Sequence, residues 1–279
     1  NLKRDTAIAW FERYYQEQML KLLRRQREEA VLQIEASDAG FRAGSGAQAE
    51  VFMARSAVAQ LEETIRQAEA RLANTRTELA RWVGEPASQA LGLPPPIDHT
   101  RSDDHSLDSQ LERHPDIALM ASRESVAQAE AEVARQEKHA DWALELMYSQ
   151  RGPDYSNMIS LSVSVPLQWN QSNRQDREFS AKRAEVEQLR AEREELSREH
   201  LAQTRRWLQT WRSNLERLHD YQQSLIPLAG ERKRAALAAY RGGRGSLDAV
   251  LQARRMEIDT RMEQLRIEME TAALWAQLE

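Results

Sequence analysis

The chain has 279 residues, with 39 Lys and Arg against 44 Asp and Glu, for a formal net charge of -5. Charges of both signs are interspersed, which leaves no basic footprint for nucleic acid. The absence of cysteine excludes disulfides, thiolate metal sites and a Cys nucleophile.

Only 10 Gly and 8 Pro stand among abundant Ala, Glu, Arg, Gln and Leu, a composition of long helices rather than of two ordinary compact domains. The sequence opens on Asn1 in NLKRDTAIAWFERYY, with neither Met nor an apolar signal segment. We therefore expect a processed or truncated piece whose targeting information lies upstream. No run approaches the roughly 20 apolar residues of a transmembrane helix, which excludes a helical span but not a β-span.

Residues 1–42 read as helix, with Ile8, Phe11, Leu20, Leu23, Val31 and Ile34 as apolar positions. FRAGSGAQAE (41–50) breaks it with Gly44 and Gly46, residues suited to a helix C-cap or a positive-φ turn. Helix resumes from about Ala47 to Trp82 and stops at VGEP (83–86). Residues 85–108 are rich in breakers and charge and read as a linker. A third helix is expected from about Leu107 to Ala140, with Pro115 in its first turn.

The period then changes. Trp142, Leu144, Leu146 and Tyr148 alternate with Ala143, Glu145 and Met147, and Ile159, Leu161, Val163 and Val165 alternate with Ser160, Ser162 and Ser164. Around RGPDYSN (151–157) these runs predict a β-hairpin with a loop. From Arg174 to Tyr240 the chain is helical again, for about 100 Å at 1.5 Å per residue. Its predicted seam is Leu208, Trp211, Leu215, Leu218, Leu225 and Leu228, with a kink near Pro227. YRGGRGSLDA (240–249) turns the chain into a last helix to Glu279, with Leu251, Ile258, Met262, Leu265 and Met269 as its seam.

The two glycine turns repeat. FRAGSGAQAEVFMAR (41–55) and YRGGRGSLDAVLQAR (240–254) share Arg42/Arg241, Gly44/Gly243, Gly46/Gly245, Val51/Val250, Ala54/Ala253 and Arg55/Arg254, each opened by an aromatic, Phe41 or Tyr240. Matches in register over such a stretch imply a duplicated helical hairpin. By that symmetry a second β-hairpin should precede residue 1.

A helical hairpin tip used twice, with a serine-rich β-hairpin feeding a long helix, resembles the TolC-like outer-membrane efflux factors. ERHPDIALMASRESVAQAEAEV, QRGPDYSNMISLSVSVPLQWNQSNRQDRE and YRGGRGSLDAVLQARR look like the branch serving heavy-metal export of the cobalt–zinc–cadmium type. The resemblance implies a mainly α fold of long antiparallel coiled-coil hairpins in an internal repeat, plus a β-hairpin that joins a trimeric outer-membrane β-barrel. It implies a first helical hairpin at 1–84, an equatorial linker at 85–108, a helix at 109–140, the barrel hairpin at 141–172 and a second helical hairpin at 173–279. It also implies a homotrimer in outer-membrane lipid that extends into the periplasm. Its partners would be a periplasmic adaptor and an inner-membrane, proton-driven pump of the resistance-nodulation-division class. No cofactor is implied.

Within the resemblance, an adaptor would dock on Phe41, Arg42, Gly44 and Gly46 and on Tyr240, Arg241, Gly243 and Gly245. The family's gate pairs an acid early in the first return helix with a tyrosine at the second tip, which fall on Glu50 and Tyr240. The family's gate arginine aligns to Gly245, with Arg244 beside it. Its acidic ring aligns to Ala249 and Gln252, where the nearest acid is Asp248. That departure counts against a cation-selective aspartate ring.

Other residues read more plainly. Asp98, His99, Asp103, Asp104 and His105 match no standard metal-ligand spacing and suit a solvated loop equally well. His114, His139, His200 and His219 are scattered and expected at the surface. Trp142, Tyr148 and Trp169 suit an interfacial aromatic belt, with a hairpin packed on a helix as the alternative. Nothing groups a nucleophile, base and orienting residue, so no enzyme is expected. The runner-up reading is a soluble coiled-coil scaffold or a periplasmic adaptor. An adaptor usually carries a small β-rich domain between its helices, and the break at 85–108 is too short and polar for one.

Overall fold

The computed structural model describes residues 2–44, 46–101, 107, 114–139, 141–166 and 169–279. In chain order they form α1 (Leu2–Arg42), α2 (Gln48–Val83), a 3-10 turn (Glu85–Ser88), α3 (Pro115–Gln136), β1 (Ala143–Ser149) and β2 (Met158–Ser164). A 3-10 turn (Gln171–Asn173), α4 (Gln175–Asp220), a π-helical turn (Tyr221–Leu225), α5 (Ile226–Arg241) and α6 (Leu247–Leu278) complete the chain. The chain divides into two compact units, residues 1–104 with 204–279 and residues 105–203. No helix among the described residues is long and apolar enough to cross a membrane.

The first unit is built on heptad packing. In α2 the buried positions Val51, Ala54, Val58, Ile65, Ala68, Leu72 and Leu79 fall at spacings of three, four and seven, the seam of a coiled coil. Of these, Ile65, Ala68 and Leu72 meet Leu20 and Leu23 of α1, with Ile258 and Met262 of α6 alongside. Exposed ion pairs Arg24–Glu69 and Arg27–Glu62, both 2.7 Å, cross the α1–α2 seam; such pairs contribute less than about 1 kcal/mol each. Farther along α1, Phe11 and Tyr15 pack on Ala272 and Ala276 of α6. Leu208 and Trp211 of α4 join Leu278.

The linker after α2 is held by polar contacts. Gly84 ends α2 at a φ of 70°, and Ala87 is buried against Ala9 and Leu79. Arg13, 2% exposed, donates to the carbonyls of Ala87 and Gln89, the latter at 2.7 Å, and pairs with Glu17 at 2.9 Å. Trp211 Nε1 donates to the carbonyl of Ile97 at 3.0 Å and Trp275 Nε1 to that of His99 at 2.8 Å. One guanidinium and two indoles thus tie four carbonyls of the irregular segment, those of Ala87, Gln89, Ile97 and His99, to the helices.

Two predicted seams differ from those observed. Leu208, Trp211 and Leu218 are buried, but Leu225 and Leu228 are 44% and 62% exposed. Pro227 has no N–H to donate and its ring crowds the carbonyl four residues back. The chain answers with the π-helical turn at Tyr221–Leu225, whose extra residue rotates the following stripe away from the seam. In α6 the fully buried positions include Leu247, Val250, Ala253, Glu257, Ile267 and Thr271, while the predicted Leu251, Ile258, Met262, Leu265 and Met269 are only half-buried. Small side chains let the helices approach along Ala253, Thr271, Ala272 and Ala276, which moves the seam off the bulkier residues.

In the second unit, α3 starts with Pro115 at its first position and His114 as N-cap, as expected. The α-helix ends at Gln136 rather than Ala140; the segment 108–113 lies outside the described residues. Its buried face is Ile117, Ala127, Ala131 and Ala134. It is braced to α4 by Arg193–Glu124 (2.8 Å), Lys182–Glu130 (2.6 Å) and Lys138–Asp176 (2.8 Å).

β1 and β2 pair antiparallel, with Leu144 opposite Val163, Leu146 opposite Leu161 and Tyr148 opposite Ile159. Those six side chains share one face, and each is 61–72% exposed. The other face carries Ala143, Glu145, Met147, Ser160, Ser162 and Ser164. A two-stranded ribbon with an uncovered apolar face is marginal in water.

Candidate functional site

Both helical hairpin tips are closed by the same backbone device. Gly44 and Gly243 sit at φ of 72° and 70°, a region that costs other residues strain. Gly243 N–H donates to Tyr240 O at 3.0 Å and Arg244 N–H to Ala239 O at 2.9 Å, the pair of bonds that defines a Schellman cap. At the first tip Gly44 N–H donates to Phe41 O at 3.0 Å. Gly46 and Gly245 serve a different need, close approach. A Cβ on Gly245 would lie 3.1 Å from Ala239 Cβ and 3.2 Å from Tyr240 N, and one on Gly46 would lie 3.3 Å from Phe41 N.

The duplicated sequence positions keep duplicated environments. Val51 and Val250 are both buried, as are Ala54 and Ala253. The second N-cap differs, since Ser246 Oγ accepts from Ala249 N–H at 3.2 Å while Ala47 offers nothing, and Arg254 is half-buried where Arg55 is exposed. Because a Cβ on Gly243 meets nothing within 4 Å, Gly243→Ala isolates backbone strain. It should cost about 1 kcal/mol and lower the thermal midpoint by about 2–4 °C. A midpoint unchanged in calorimetry would show that the left-handed turn does not limit stability.

The tips meet side by side. Tyr240 Oη donates to Glu50 Oε2 at 3.1 Å, above a core of Ala54, Leu247 and Val250 with Ile34, Leu237 and Leu251 packed around it. Burial pushes the Tyr240 phenol above its ordinary value, helped by the bond to Glu50 and its charge. Of the other residues singled out at the tips, Phe41 is 43% exposed and Arg42 pairs with Asp38 at 2.5 Å. Arg241 and Arg244 are exposed. Asp248 accepts from Gln252 Nε2 at 2.9 Å.

A further ionic cluster, not expected from the sequence, lies deeper between α1, α5 and α6. Glu257, 4% exposed at its side chain, pairs with Lys233 at 2.6 Å and Arg261 at 3.2 Å. Lys233 also reaches Glu29 at 3.5 Å, and Arg254 donates to the Glu29 carbonyl at 2.9 Å. The two helical hairpins are therefore linked by polar contacts as well as by the apolar seam.

The histidines divide differently from expectation. His99 is exposed beside Asp98, at 3.5 Å, while Asp103, Asp104 and His105 lie outside the described residues. His114 and His200 are half-buried rather than scattered on the surface, and with Asp116 they bring three ligand-type atoms within 4.8 Å of one another. No local signal announces this grouping, because His200 is placed by the packing of α4 on α3. Trp142 and Trp169 are each 76% exposed and Tyr148 is 61% exposed.

No protein-family model matches the sequence, and no curated protein matches it. Solved structures do. The outer-membrane channel OprN superposes on 99% of this chain with a TM-score of 0.83 at 18% identity, the chain covering 64% of OprN. CusC, solved in work on folding and transmembrane channel formation, gives 0.81 at 16% identity over 99% of this chain and 68% of its own. The open state of the MtrE outer membrane channel of Neisseria gonorrhoeae gives 0.77 at 16% identity, over 99% and 64%. The chain thus spans about two-thirds of the length of these structures. Over that span its fold is that of the TolC-like outer-membrane channels.

Proposed function

We propose that this chain is the channel component of a tripartite efflux system, a homotrimer that passes solute across the outer membrane without catalysing a reaction. The observation that carries the reading is the β-hairpin. Its apolar face has no covering element among the described residues, and its serine face is small and polar. A barrel wall between lipid and a wet lumen needs those two faces in that alternation. Trp142, Tyr148 and Trp169 then supply interfacial aromatics. Heptad-packed hairpins and capped glycine tips suit a periplasmic helical tunnel.

In this reading a periplasmic adaptor docks on the tips at Phe41, Arg42, Gly44 and Gly46 and at Tyr240, Arg241, Gly243 and Gly245. The Glu50–Tyr240 bond holds the tunnel closed, with Arg244 and Asp248 at its rim. Adaptor contacts shift the population towards an open arrangement. An inner-membrane, proton-driven pump of the resistance-nodulation-division class supplies the energy. Heavy-metal cations are the proposed cargo, supported by the sequence resemblance around 112–133, 150–178 and 240–255.

Sedimentation velocity in detergent and in plain buffer tests the reading. A trimer of high frictional ratio that needs detergent is expected. Leu161→Arg places a charge on the lipid face at a cost of about 2–4 kcal/mol per protomer and should abolish it. An elongated, detergent-indifferent monomer or dimer would leave the coiled-coil scaffold as the account, with the hairpin as an ordinary sheet edge.

A further inference from the structure

We infer that His114, Asp116 and His200 form a binding site for a divalent transition-metal cation within the second unit. His114 caps α3 and Asp116 follows in its first turn, while His200 comes from α4. His114 Nδ1 lies 3.7 Å from Asp116 Oδ2, and His200 Nε2 lies 3.9 Å from that same oxygen. The two imidazole centroids are 4.4 Å apart with planes inclined by 40°.

Bonds of about 2.0–2.2 Å at tetrahedral angles set donor atoms roughly 3.4 Å apart, so each imidazole needs to approach the carboxylate by about half an ångström or less, within a set whose three donors already lie inside 4.8 Å of one another. Two imidazoles and one carboxylate suit Zn2+, Ni2+ or Cu2+ better than Mg2+ or Ca2+, which prefer all-oxygen shells. Asp116 is exposed, leaving room for water as a fourth ligand. The cross-braces Arg193–Glu124 and Lys182–Glu130 hold the two helices in register, so the donors are brought together before any ion arrives.

Two features set the affinity. His114 Nδ1 accepts the Asp116 N–H at 3.3 Å, a long capping bond that the cation would replace. The positive end of the α3 dipole opposes a cation, so binding should be micromolar rather than tighter. The ion would act as a clamp between the start of α3 and the middle of α4.

Isothermal titration of the whole chain with Zn2+ alone, followed by Co2+ absorption as a coordination signature, tests the site. One equivalent per chain in the micromolar range is expected, with a tetrahedral-type Co2+ spectrum. His200→Gln and Asp116→Asn should each weaken Zn2+ binding at least tenfold, as should His114→Asn, which keeps a capping side chain. His219→Gln and His99→Gln should leave it unchanged. Absence of saturable binding overturns the inference, as does binding that survives His114→Asn combined with His200→Gln while circular dichroism shows the helices intact.

Discussion

Arg13→Ala is expected to destabilise the first unit by about 3–5 kcal/mol, the largest effect of any single substitution argued from this structure. The guanidinium is 2% exposed and serves three acceptors at once: the carbonyls of Ala87 and Gln89 and the carboxylate of Glu17. Removing it leaves the buried Ala87 carbonyl without its donor, strips the Gln89 carbonyl of its protein partner and leaves Glu17 only the longer contact to Arg76 at 3.5 Å, and an orphaned buried group carries the full desolvation penalty. Arg13→Lys keeps the charge but not the planar fork, so it should recover only part of the loss. Urea unfolding followed by tryptophan fluorescence measures both, Trp10 and Trp82 lying in the same cluster. A loss below about 1 kcal/mol for Arg13→Ala would mean that the linker after α2 is held by its apolar contacts alone.

The second large effect concerns the tips. Glu50→Ala and Tyr240→Phe are each expected to raise open-pore conductance in planar bilayers. The Tyr240–Glu50 bond is charge-assisted but half-exposed, which makes it worth about 1 kcal/mol. In the proposed trimer that is about 3 kcal/mol, a shift of roughly a hundredfold between closed and open populations. The double substitution should add little to either single one, because both remove the same bond. Alkali offers an independent check. The phenol titrates above its ordinary value in the folded chain, so the contact is complete below about pH 10. It is lost as pH rises through the raised value. Conductance insensitive to both substitutions would rule out the pair as the gate.

Much of the architecture was legible in the residues. Strict alternation at 159–165 and bulky alternation at 142–148 announced the hairpin, because side chains on a strand point to opposite faces at a period of two. The register then put Leu144, Leu146 and Tyr148 opposite Val163, Leu161 and Ile159, with no conflict between local pattern and pairing. The glycine tips were legible for a similar reason. A left-handed turn and a close helix crossing admit few side chains, so Gly44, Gly46, Gly243 and Gly245 stand out in sequence. The Glu50–Tyr240 contact was implied by the family resemblance, the glycines serving only to place the family's acid and tyrosine on these two positions.

Other features escaped the sequence because they depend on which helix faces which. Gln26, Gln33, Ser37, Glu257 and Thr271 are buried, against their usual preference. Ser37 and Thr271 return their hydroxyls to the carbonyl one turn back, at 2.8 Å and 2.7 Å, and Glu257 meets two cations. The π-helical turn before Pro227 rotated the seam and put Leu225 and Leu228 into solvent. Such a shift follows from one extra residue in a turn, which periodicity cannot register.

The sequence by itself determined the local conformations: where helices start and stop, where the chain turns with positive φ, and which strand face is apolar. These depend on residues within a few positions of one another, through backbone sterics, capping and side-chain period. The tertiary structure alone decided the long-range polar pairings: Arg13 with the carbonyls of Ala87 and Gln89, Lys233 with Glu257, and His200 with His114 and Asp116. A hydrogen bond or metal-ligand geometry is fixed to within tenths of an ångström by two packed helices. Residues far apart in the chain carry no mark of that distance until the helices have packed.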